Sequence, residues 1–202
     1  MLKLLWTAPL SAKVGVVAIL AYAFVALFAP LLAPHGETAI VGSSYELWSD
    51  KFVFGTDNIG RDMLTRLIYG ARNTIGIAFL TVAIAFFVGG TLGMLAAILG
   101  GVYDLVIGRL VDILMAIPSL VFALLLLTVF GTSIPSLVLI IALLDSTRIF
   151  RIARSAAMNV VVMEFVEAAR LRGEGMAWVI RKEVLPNIMA PLLAEFGLRF
   201  CF

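Results

Sequence analysis

The stretch EFVEAARLRGEGMAWVIRKEVLPN, Glu164–Asn187, is charged and broken by glycine inside a chain otherwise rich in apolar residues. Read as a helix at about 100° per residue, the segment Val161–Arg172 has two faces. Val161, Val162, Phe165, Val166 and Ala169 fall on one side, and Glu164, Glu167 and Arg170 on the other. Gly173 stands where such a helix would stop, and Gly175 adds a second flexible point. A second helical stretch follows, with Met176, Val179, Ile180 and Val184 at i, i+3, i+4 and i+8, before Leu185-Pro186 leads into an apolar run. The spacing predicts two short amphipathic helices joined at a glycine elbow. Ala168 and Ala169 keep the surface low, so a partner's groove can approach the backbone. Periodicity alone leaves two uses open: docking to another protein, or lying on a membrane surface.

The rest of the chain is much greasier. Of 202 residues, 62% are hydrophobic and 14% charged, and mean hydropathy is +1.10. Soluble domains hold about 45–50% apolar residues, so the excess here points to a bilayer as solvent. The net charge of +2 is too small to argue for nucleic acid. A single cysteine, Cys201, excludes an intrachain disulfide. The lone histidine, His35, cannot build a metal cluster and reads as a loop side chain after Pro34.

Working outward, apolar runs of roughly the 20 residues needed to cross hydrocarbon recur along the sequence. The first is Val14–Leu32, an uncleaved span preceded by Lys3 and Lys13 and closed by Pro30 and Pro34. Residues 34–72 are polar and turn-rich. A second span covers about Ile75–Leu99, where Gly89, Gly90 and Gly93 allow close helix approach. The third, about Leu110–Phe130, carries Pro118, which is expected to kink it. The fourth, about Ile134–Ala153, carries Asp145, Arg148 and Arg151 in its inner half. Asp145 and Arg148 are three apart and expected to pair on one helical face. A fifth run starts near Val184 and is still apolar at Phe202, with Glu195 and Arg199 inside it. That pattern reads as a chain truncated within its fifth span, the sixth missing.

Charge orients these spans. Arg148, Arg151, Arg154, Arg170, Arg172, Arg181 and Lys182 cluster around one loop, and Lys3 and Lys13 precede the first span. Four spans put both on one side, which the positive-inside rule makes cytoplasmic. The 34–72 segment is then outside, with Lys51, Arg61, Arg66 and Arg72 offset by Glu37, Glu46, Asp50, Asp57 and Asp62. In it, Asp57, Arg61 and Asp62 are expected to pair, and Gly55 and Gly60 to make tight turns. The segment reads first as a structural cap over the spans.

No G-x-x-x-x-G-K-[ST] phosphate loop occurs; GEGMAW at 173–178 lacks the lysine. No metal cluster or nucleophile–base pair can be drawn either. The chain is therefore expected not to be an enzyme and to hold no cofactor of its own.

EAARLRG, Glu167–Gly173, followed by Leu185, Pro186 and Asn187, resembles the EAA loop of ABC importer membrane subunits. FGTDNIGRDMLTRLIYGAR, Phe54–Arg72, resembles the Gly-Thr-Asp-x-x-Gly-Arg-Asp segment of the dipeptide/oligopeptide/nickel permease branch, here Gly55, Thr56, Asp57, Gly60, Arg61 and Asp62. GRLVDILMAIPSL, Gly108–Leu120, and TRIFRIARS, Thr147–Ser155, extend the likeness in order along nearly the whole chain. Departures are Glu183, where the family usually has an apolar residue or histidine, and GEG in place of Gly-Ala-Ser.

The resemblance implies an all-α, polytopic helical bundle of the type I importer permease kind in a prokaryotic inner membrane, with about five spans present and a cytoplasmic N-terminus. It divides the chain into 1–33 with the first span, an extracytoplasmic 34–72, and a permease region 73–202 with a coupling loop at 155–187. It implies ATPase coupling through Glu164, Glu167, Ala168, Ala169, Arg170, Gly173, Leu185 and Pro186. Implied partners are a second permease chain, two ATPase subunits that bind the ATP, and an extracytoplasmic substrate-binding protein. The cargo would be peptides, nickel or another small solute. Two other function classes stay open: a secondary transporter using Asp112, Asp145 and Arg148, and a non-transporting assembly subunit. Energy source separates the first from an importer; survival of transport after loop disruption marks the second.

Overall fold

The computed structural model describes residues 9–201, all-α among them. Lys3, used above for orientation, and Phe202 lie outside the described residues. The chain forms two compact units, Met1–Ile77 and Ala78–Phe202.

In the first unit, helix α1 spans Leu10–Leu27 and buries none of its residues within the chain. Such a helix, apolar on every face, matches lipid or partner helices rather than a chain's own core. A short helix α2, Ala29–Leu32, follows, with Ala29 buried. Residues 33–62 form an irregular segment tied by hydrogen bonds. Helix α3 then runs Met63–Leu99, so the last ten residues of the 34–72 segment are helical rather than turn-rich. The reason is a cap. Asp62 Oδ2 accepts the Thr65 N–H at 2.9 Å, satisfying a first-turn donor.

The second unit contains the rest of α3, α4 (Gly101–Ala116), α5 (Ser119–Phe130), α6 (Ile134–Val161), α7 (Glu164–Leu171), α8 (Met176–Val179) and α9 (Leu185–Cys201). Gly100 and Gly101 at positive φ turn the chain from α3 into α4. The expected kink at Pro118 is a full break: α4 and α5 meet at 92°. Ile117 before the proline is extended, φ −88° and ψ 132°, as the proline ring demands of its predecessor. Helix α6 sits at the centre, packing on α4, α5 and α9. Gly89 and Gly93 of α3 meet α6 backbone. A Cβ on Gly89 would lie 2.3 Å from the Ser146 carbonyl oxygen, and one on Gly93 2.6 Å from that of Phe150. Gly90 has open space instead, so only the i, i+4 glycines make the contact. Arg154 and Asp104 join α6 to α4 through a two-pronged ion pair.

Leu10–Leu27, Met63–Leu99 and Met176–Cys201 are each long and apolar enough to cross a membrane, and the bent pair α4–α5 makes a fourth if taken as one span. Helix α6 is 28 residues long, but Asp145, Arg148, Arg151 and Arg154 interrupt its apolar sequence. Such a helix needs protein or water around its charged half.

Candidate functional site

The elbow at 164–187 is built from α7, α8 and the first residues of α9. The helix begins later than its periodicity predicts. Val162–Met163 break the chain after α6, and α7 starts at Glu164. Val166 and Ala169 are fully buried, but Val162 is 80% exposed and Phe165 41%, so the expected apolar face is narrower. Val166 and Ala169 share one buried cluster with Met94, Ala153, Ala157, Val179, Val184 and Ile188. Glu164, Glu167, Ala168, Arg170 and Leu171 face outward. Glu164 and Glu167 lie in the first turn and Arg170 in the last, each opposing the helix dipole favourably.

The exit from α7 is a Schellman turn. Gly173 has φ +82°; its N–H donates to the Arg170 carbonyl at 2.9 Å, and that of Glu174 to Ala169 at 3.2 Å. After it, α8 passes through a π-helical turn, Ile180–Val184, directly into α9. Pro186 accounts for the wide turn, since it lacks an N–H and its ring crowds the carbonyl four residues back. The wider turn brings Val179 and Val184, five apart, onto the buried side with Ile188 and Leu192. A regular α-helix would place them about 140° apart. Leu185 is half-buried and Pro186 exposed.

The irregular segment before α3 is organised by Asp57. Its Oδ1 accepts the N–H groups of Ile59 and Arg61, each at 2.9 Å. Its Oδ2 accepts Arg61 Nε at 2.8 Å and an Arg66 Nη at 2.9 Å. Burial pushes the Asp57 carboxyl up, but these N–H groups and the Arg61 guanidinium outweigh it and hold it well below the usual carboxylate range. Asp62 does not join Arg61 as expected. Burial acts to raise it, and the Thr65 hydroxyl and N–H prevail and lower it, because it caps α3. Thr56 Oγ1 donates to the Ser43 carbonyl at 2.6 Å and accepts the Glu46 N–H at 2.8 Å. Gly55 and Gly60 adopt φ +73° and +82°. A Cβ on them would lie 2.3 Å from the Glu46 oxygen and 2.1 Å from that of Gly42, so only glycine fits.

The charges read from sequence as intramembrane pair differently from expectation. Asp145 forms its ion pair with Arg199 of α9, at 4.0 Å, rather than with Arg148. Arg199 is held more tightly by Glu195, at 2.6 Å. The i, i+4 spacing of Glu195 and Arg199 was the available sequence signal; proximity of α9 to Asp145 was not. The Asp104–Arg154 pair, fifty positions apart in sequence, had no sequence signal at all.

Residues 89–202 match the family described as binding-protein-dependent transport system inner membrane component. The chain is 34% identical over 195 residues to the dipeptide transport system permease protein of Alkalihalophilus pseudofirmus, covering 94% of this chain and 62% of that protein. It is 32% identical to the dipeptide transport system permease protein of Haemophilus influenzae, over 91% of this chain and 65% of the relative. It is 34% identical to a probable D,D-dipeptide transport system permease protein of Escherichia coli, over 97% and 67%. The chain thus spans about two thirds of the length of these curated relatives.

Proposed function

Because the chain belongs to the family of inner membrane components of binding-protein-dependent transport systems, we propose that it is a permease subunit of an ATP-driven importer of peptides or similar small solutes. In this reading it forms half of a translocation path with a second permease chain. Two cytoplasmic ATPase subunits drive it, and an extracytoplasmic binding protein delivers the cargo. The 34–72 segment is the outer cap, 73–202 the permease region, and 155–187 the coupling loop.

The observation that carries the coupling role is the construction of α7. Its inner side is anchored by Val166 and Ala169 in a shared core. Its outer side offers a low alanine, Ala168, flanked by Glu164, Glu167 and Arg170. A helix seated in this way transmits a push instead of rolling, because its anchor includes α3, α6 and α9 residues together. ATP binding then shifts the spans between inward-open and outward-open states by favouring one of them. Reversing a 1:99 population takes about a 10⁴-fold affinity difference, about 5.5 kcal/mol.

The test is co-purification and coupled transport with the protein expressed in its own membrane. An ATPase subunit is expected to purify with the wild type. Glu167→Arg and Ala168→Trp should lose it or cut uptake at least tenfold per ATP hydrolysed, with the protein still in the membrane. Stable, inserted wild-type protein that recovers no ATPase would rule the importer reading out.

A further inference from the structure

We propose that the cavity between α5, α6 and α9 binds the two charged ends of a short zwitterionic peptide, Arg148 taking its carboxylate and Asp145 its ammonium group. This inference rests on the importer reading and assigns that importer's cargo a place in this chain. The cavity measures about 620 Å³, within the roughly 300–1,000 Å³ of small-molecule sites. Its apolar wall comes from Leu120 and Ala123 of α5 and Ile141 and Leu144 of α6; Asp145, Arg148 and Arg199 supply its charges.

The four nearby charges are not equivalent. Arg199 Nε is committed to Glu195 at 2.6 Å, and its contact with Asp145 is loose, at 4.0 Å. Among the described residues, the Asp145 carboxylate accepts no hydrogen bond, and the Arg148 guanidinium has neither a hydrogen bond nor a close ion pair. Ionisable groups at membrane depth are costly without partners. One anion and one cation therefore face the same cavity with bonding capacity to spare. They stand one turn apart on α6, about 5–6 Å between their Cβ atoms. An extended residue spans about 3.5 Å, so the two ends of a dipeptide lie roughly 7 Å apart, a span two flexible side chains reach together. The guanidinium fork suits a carboxylate through paired N–H donors, and the carboxylate suits an ammonium group. The remaining apolar wall is tolerant of varied side chains.

The experiment uses the complete importer reconstituted in proteoliposomes with its binding protein and labelled alanyl-alanine. Arg148→Gln is expected to lower ATP-dependent uptake at least tenfold while assembly and ATP hydrolysis persist; Arg148→Lys should keep most of the uptake. Wild-type uptake in an assembled Arg148→Gln importer would overturn the assignment. If that variant fails to assemble, the wild-type complex in detergent decides, using a dipeptide that carries a photoactivatable leucine. Adducts on Leu120, Ala123, Ile141 or Leu144, suppressed by alanyl-alanine but not by its N-acetyl amide, support the site. Adducts confined elsewhere, or suppressed equally by the uncharged amide, overturn it. A wild-type assembly without ATP-dependent uptake removes the importer reading itself, which distinguishes that failure from a wrong choice of residues.

Discussion

Asp57 gathers four donors on two oxygens, from the backbone of Ile59 and Arg61 and the side chains of Arg61 and Arg66. Only the ionised carboxylate accepts all four, so its folded pKa lies below the ordinary value of about 3.9. The sign follows from linkage. The stabilisation is fully present above the unfolded pKa and is lost as pH falls below it towards the folded value. Asp62 and Glu46, also lowered, act in the same direction. Acidifying the purified protein from pH 7 to pH 3 should therefore open the 33–62 segment to an acid-active protease. Asp57→Asn should be cut faster at pH 7 and show a shallower rise on acidification. Superimposable cleavage profiles for variant and wild type would deny Asp57 this anchoring role. The motif was legible in the sequence as a turn-forming, charged segment. The division of labour was not: Asp57 ties the loop and Asp62 caps α3, because the two carboxylates differ in the N–H groups the backbone turns towards them.

At the scale of helices, the α3–α6 contact depends on two glycines. Gly89 and Gly93 let α6 approach until backbone meets backbone, so an added side chain has no flexible neighbour to displace. Gly89→Val or Gly93→Val should destabilise the purified chain by about 1–3 kcal/mol, the range for overpacking a tight contact. Gly90→Val, on a side open within this chain, should stay within about 1 kcal/mol, the helix propensities of glycine and valine differing little. Thermal unfolding in detergent followed by loss of monodisperse protein measures the contrast. Equal effects at all three positions would mean that glycine flexibility, not approach, sets the packing. The sequence marked the three glycines together; which ones touch depends on how α6 crosses α3. The π turn at Ile180–Val184 is a comparable case. Pro186 signalled a disturbance, but the alignment of Val179 with Val184 needed the widened turn itself.

For the molecule as a whole, the distribution of Lys and Arg predicts a cytoplasmic 155–187 loop and an external 34–72 segment. Cys201 is the single cysteine, so its replacement by serine leaves a clean background for labelling. A cysteine placed at Ser44 should react with a membrane-impermeant maleimide from the outer side of intact spheroplasts. One placed at Arg172 should react only after the membrane is opened. Both positions are exposed within the chain, so burial does not confuse the result. Labelling of Arg172→Cys from outside would reverse the orientation and remove the loop from reach of a cytoplasmic ATPase.

Composition and spacing by themselves determined that this chain is helical and lives in a membrane, because apolar runs of spanning length have few other stable solutions. They also located the glycine elbow, since few residues other than glycine take the positive φ that ends α7 at Gly173. Tertiary structure alone decided the partners of the charges. Asp145 meets Arg199 and Asp104 meets Arg154 because α9 and α4 pack beside α6. Local periodicity describes one helix at a time and carries no information about which helix its charged face will meet. It likewise could not separate Val166 and Ala169, buried, from Phe165 and Val162, exposed. That choice follows from where the chain breaks after α6 and from the core that α3, α6 and α9 already share.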